Sequence, residues 1–145
     1  MIRFGLGLLA VLALFALFAC DDPLPDYPRR QPSLELGAAN EQAAGGELFA
    51  RLCAGCHGAM DEGRSSRADF FQPPAPDFHE PRYRDFDPAY LYWRIETGKN
   101  AEPFRRRGSV MPAWGPNLSE TQIWQLVAYV RSRAGSYPEP NSMQR

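Results

Sequence analysis

Cys53-Ala54-Gly55-Cys56-His57 is the stretch on which the reading of this chain turns. Two cysteines separated by two residues and followed at once by a histidine read as a covalent haem attachment site. Residues three apart on a helical turn face the same side. Cys53 and Cys56 therefore reach the two vinyl groups of one haem, and His57 follows where its imidazole meets the iron. A thioredoxin-like dithiol would need a strand before the motif and a helix after it, and the order here is reversed. A zinc site needs about four ligands, and only one other histidine and one other cysteine exist, both distant.

Upstream, Asn40 is a suitable N-cap and Glu41 a first-turn anion, so a helix is expected from there to about Cys56. Leu48, Phe49 and Leu52 make its apolar stripe. Gly45 and Gly46 each cost about 1 kcal/mol in a helix interior, which a second helix crossing closely at that point explains. Downstream, Gly58 to Gln72 reads as loop. Pro73-Pro74-Ala75-Pro76-Asp77-Phe78 is stiff extended chain, either a surface turn or the source of a carbonyl for the second ring nitrogen of His57.

Asp87-Pro88 opens a middle helix that runs to Gly98 and is rich in aromatics. Arg105-Arg106-Arg107 lies in a polar loop. It reads as a solvated face, with haem carboxylates or an acidic partner as alternatives. Ser119-Glu120-Thr121-Gln122 has the form of a capping box. Ile123, Leu126, Val127 and Val130 follow at helical spacing, and Gly135 ends the last helix. Between these helices lies Val110-Met111-Pro112-Ala113-Trp114. Met111, stiffened by Pro112, is the expected second axial ligand. Met60 is too near His57 to cross the ring, and Met143 falls in the tail. His79 is the distal candidate if the iron is open.

The N-terminus carries Arg3 and then an apolar run from Phe4 to Phe18, which suits a signal-peptide core better than a spanning helix. The run ends in Leu17-Phe18-Ala19-Cys20, which resembles the bacterial lipobox. Cys20 would then be the lipidated mature N-terminus, and two or three acyl chains hold a protein stably on a membrane. Asp21 to Leu36 holds four prolines and is read as an extended tether of about 50 Å, with an arm packed on the domain as the alternative. The formal net charge of −1 gives no global bias toward nucleic acid. The three cysteines leave no pair for a disulfide once haem and lipid are assigned.

The chain resembles the class I c-type cytochromes over about residues 40 to 134. The resemblance rests on the attachment motif, on Gly45 and Phe49 leading by four-residue steps to Cys53, on Leu126-Val127-Ala128-Tyr129, and on the Met111-Pro112 loop. Among subgroups it looks like the domains related to the third subunit of cbb3-type oxidases. The resemblance implies a mostly α cytochrome c fold, about three main helices around one covalently bound haem c, with the N- and C-terminal helices crossed. The expected organisation is a signal peptide at 1–19, a lipidated cysteine and tether at 20–39, the cytochrome domain at 40–134 and a tail at 135–145. The expected function is one-electron transfer by a His57/Met111-ligated haem, not enzymatic turnover, between redox partner proteins in the membrane or periplasm. The expected place is the periplasmic face of the inner membrane, held by lipid at Cys20. A fixed subunit of a respiratory or dehydrogenase complex and a haem-based small-ligand sensor or enzyme are the alternatives.

Overall fold

A computed structural model describes residues 24–100, 102 and 104–135. The described residues form five α-helices and two 3₁₀ turns, with no strand among them. The helices are α1 (Ala39–Leu52), α2 (Ala54–His57), α3 (Arg82–Asp85), α4 (Pro88–Thr97) and α5 (Glu120–Arg133). The expected mostly helical cytochrome c architecture is what the chain adopts.

The packing of α1 on α5 organises the core. At Gly45 a side chain has no room, since a Cβ there would lie 2.0 Å from the Gln125 carbonyl oxygen. Next to it, a Cβ at Gly46 would lie 3.1 Å from the Tyr129 ring. The two glycines thus permit the close approach expected of them. Glu41 accepts a hydrogen bond from Gln125 Nε2 at 2.9 Å, a second tie between the helices. Phe49, Trp124, Leu126 and Val127 are almost wholly buried, and the Tyr92 ring of α4 lies 4.4 Å from Trp124.

Local chemistry sets the other helix ends. Ser119 and Gln122 form the reciprocal capping box of α5. Asp87 caps α4 through Ala89 N, with Pro88 in the first turn and Gly98 (φ 64°) beyond the last. The start of α1 differs from expectation. Ala38 is the N-cap and has no side chain to bond the helix, while Asn40 lies inside the first turn and donates to Glu41. The two alanines before Asn40 are strong helix formers and extend the helix past it. Cys53 then breaks the regular helix, and α2 restarts at once. Arg105–Arg107 forms an exposed 3₁₀ turn whose Arg105 and Arg106 pair with Glu102, in keeping with the solvated reading.

The proline-rich segment is the main correction. Instead of running free to residue 36, it packs on the domain from Tyr27 onward. Tyr27 is buried against Tyr90 and Trp93 of α4, and Leu34 and Leu36 lie against the core. The prolines hold the backbone extended, and the aromatic and aliphatic residues between them find partners on the domain. Cys20 and Met143 lie outside the described residues.

Candidate haem site

α1 and α2 deliver the attachment motif to the edge of a cavity of about 390 Å³. The His57 amide bonds the Cys53 carbonyl at 2.9 Å, so the motif is one helical turn. Cys53, Cys56 and His57 all line the cavity. Cys56 is exposed at its mouth and Cys53 is half-buried. Burial and, secondarily, the neighbouring Cys56 push the Cys53 thiol up to about 12. A redox dithiol depends on a lowered thiol pKa, so this environment runs against the dithiol reading.

His57 is buried, and burial pushes its imidazole down to about 4, leaving it neutral at pH 7. Its Nδ1 lies 3.4 Å from the Pro76 carbonyl, a long contact; since a carbonyl only accepts, this bond takes the tautomer with the proton on Nδ1 and the lone pair on Nε2. The stiff proline segment therefore supplies the carbonyl. Phe78, from the same segment, stacks on the imidazole with ring centres 4.5 Å apart. On the other side of the motif, Arg133 donates to the carbonyls of Gly58, Ala59 and Glu62 at 2.8–3.0 Å. These bonds hold the chain just after His57 against the end of α5.

Met111 lines the same cavity, brought there by the end of α4. The Lys99 amide bonds the Met111 carbonyl at 3.1 Å, and Trp114 N bonds Ile95 O at 3.1 Å. Gly98 lets this loop lie flat on the helix end, since a Cβ there would be 2.5 Å from the Met111 carbonyl oxygen. His57 and Met111 also share a small recess between Phe49, Leu126 and Val130. Among the described residues, the other sulfur and imidazole candidates are elsewhere. Met60 is half exposed and its Sδ accepts from Tyr129 Oη. His79 is engaged by Asp77 Oδ1 and the Met60 carbonyl, each at 3.0 Å, and does not line the cavity.

Two cations on the cavity wall escaped the sequence reading. Arg94 is 5% exposed, its Nε and Nη1 have no hydrogen-bond partner, and its guanidinium lies 3.4 Å over the Trp93 ring. Burial and then the charge of Arg94 lower the pKa of Lys99 beside it. Buried cations of this kind call for an anion. The only sequence signal was the place of Arg94 on a helix that also carries Tyr90 and Leu91 to the same wall, and of Lys99 just beyond that helix.

The residues present fit a haem. The cavity lies within the ~300–1,000 Å³ typical of cofactor sites, and most of its wall is apolar. Two thiols, a neutral imidazole and a thioether meet there, and Arg94 and Lys99 suit the two carboxylates of a porphyrin.

Residues 40–130 match the family described as cytochrome c oxidase, cbb3-type, subunit III. The chain belongs to that family. A cytochrome c domain of this family is an electron-transfer module built on haem c. The FixP subunit of the cbb3-type cytochrome c oxidase of Azorhizobium caulinodans is 31% identical over 110 residues, covering 76% of this chain and 33% of the relative. The FixP of Sinorhizobium medicae is 31% identical over 91 residues, covering 63% of this chain and 27% of the relative. The chain thus spans about a third of the length of the curated relatives it matches. Among solved structures, a chain of the Kuenenia stuttgartiensis reducing HAO-like protein complex Kustc0457/Kustc0458 is similar, with a TM-score of 0.56 and 26% identity over 86% of this chain and 57% of that one.

Proposed function

We propose that this chain is an exported, lipid-anchored monohaem cytochrome c that passes single electrons between redox proteins at the periplasmic face of a bacterial inner membrane. The observation that carries the reading is the meeting of Cys53, Cys56, His57 and Met111 on one apolar cavity. A haem bound there supplies one-electron exchange between ferric and ferrous iron.

The chain's own residues do the rest. Cys53 and Cys56 would hold the group by thioethers. His57 would bind the iron through Nε2, with Nδ1 directed to Pro76 and the following loop held by Arg133. Met111 would be the second protein ligand to the iron, on a loop stitched to α4 by backbone bonds. A thioether ligand raises the potential, and an iron held by both His57 and Met111 would have no place for substrate. Phe78, Tyr90, Leu91 and Ile95 line the cavity and exclude water from it. Arg94 and Lys99 would receive the carboxylates.

Intact-mass measurement of the purified protein tests the attachment. One added haem is expected, and Cys53→Ser/Cys56→Ser should abolish it. A chain that carries no haem, or keeps it covalently without both thiols, contradicts the reading. Cys20→Ser should release the protein from membranes, and continued membrane fractionation would remove Cys20 as the anchor. A second reading, a fixed subunit of a larger oxidoreductase complex, is favoured by the relatives named as oxidase subunits. Persistent co-purification with such a complex in mild detergent would select it.

A further inference from the structure

The segment between the lipobox-like cysteine and the haem domain is clamped along most of its length. Tyr27 is 7% exposed. Its ring stands edge-on to Tyr90 at 5.3 Å and stacks on Trp93 at 5.9 Å and 21°. The Tyr27 hydroxyl donates to Asp87 Oδ2 at 2.8 Å, and Arg29 donates to the same oxygen at 2.6 Å. Asp87 uses its other oxygen to cap α4. Three residues on, Arg30 pairs with Glu96 at 3.0 Å and lies over the Tyr92 ring. Exposed ion pairs contribute little, so the buried tyrosine in its aromatic box is the principal fastening. These contacts run along α4, the helix that also lines the haem cavity with Tyr90, Leu91, Arg94 and Ile95. The arm lies outside residues 40–130, the part that the family match covers.

We propose that this arm is a strap that holds the haem domain close to the membrane, and that the domain has no long leash. The proposal rests on the lipid anchor at Cys20 and on the haem reading above. Only seven residue steps separate Cys20 from Tyr27. Fully extended, they span at most about 25 Å, half the about 50 Å of a tether free to residue 36. The N-terminal end of α4, with Asp87 and Tyr27, is then the part of the domain tied nearest to the bilayer. The electron partners that fit such a carrier are membrane proteins whose acceptor or donor group lies within that short reach, on the same surface.

Energy transfer from a headgroup-labelled fluorescent lipid to the haem tests this in neutral phosphatidylcholine vesicles carrying the full, lipidated protein. The wild type should quench strongly. A flexible Gly/Ser insertion after Asp22 lengthens the leash without touching the clamp. Tyr27→Ala/Arg30→Ala frees the clamp without lengthening the chain. Both should lower quenching by about half or more, given the steep distance dependence of energy transfer, with the haem absorption spectrum unchanged. Bound, haem-bearing protein that quenches equally with and without Tyr27 and Arg30 would overturn the strap. Full-length protein that fails to bind vesicles, or that lacks the haem spectrum, would overturn the proposal through the readings beneath it, and each of these failures is seen separately.

Discussion

Arg94 and Arg133 are two buried arginines with different tasks. Arg133 uses its donors on three backbone carbonyls just after His57. Arg133→Met keeps the volume and removes those bonds, leaving the carbonyls of Gly58, Ala59 and Glu62 without their donor. The expected loss is about 3 kcal/mol of stability in denaturant unfolding of the loaded protein; an unchanged midpoint would mean that the loop is held by other contacts. Arg94 leaves Nε and Nη1 facing the cavity wall unpartnered. Replacing it with glutamine removes a positive charge from the cavity wall, which would favour the ferric form of a haem bound there. A fall of about 40 mV in midpoint potential corresponds to about 1 kcal/mol for a one-electron couple, and Arg94→Lys should restore most of it. Neither role was readable in the sequence. An arginine on an amphipathic helix shows its task only when the fold reveals which wall it meets. Cys53, Cys56, His57 and Met111 stand out in the sequence because spacing and loop context point to chemistry directly, and the fold brings all four to one cavity.

The helices were legible where local chemistry alone sets their ends. The Ser119/Gln122 box and the Asp87-Pro88 start of α4 are short-range signals, and both are present. Ser119→Ala should cost about 1 kcal/mol, measured as a shift in the unfolding midpoint. The start of α1 was misread because Asn40 has the chemistry of a cap, while Ala38 and Ala39 extend the helix beyond it. The glycines of α1 were read through their cost, and the structure gives its reason. A methyl group at Gly45 would overlap the Gln125 carbonyl. Gly45→Ala should therefore force α1 and α5 apart and destabilise the protein by about 3 kcal/mol. A variant as stable as wild type would mean that the two helices separate at no cost.

At the scale of the whole molecule, the amino-terminal arm was the part that sequence reasoning judged least well. Its prolines report an extended backbone, but an extended chain runs free or lies on a surface according to what its side chains meet. Tyr27 meets Tyr90, Trp93 and Asp87, and no local pattern links residues sixty positions apart. The same long-range packing brings Met111 and His57 to one cavity from opposite ends of the domain. The proposed electron carrier would use both to hold the iron, and Met111 is the residue at which that proposal stands or falls. The measurement is the absorption spectrum of wild type and Met111→Ala, oxidised and then reduced under carbon monoxide. Wild type should show the weak red band of ferric iron–thioether bonding and should not change with carbon monoxide. Met111→Ala should lose that band, bind carbon monoxide and have a lower potential. Ready carbon monoxide binding by wild type, or a variant identical to it, would rule out a closed His57/Met111 iron and point to an open iron that senses or transforms a small ligand.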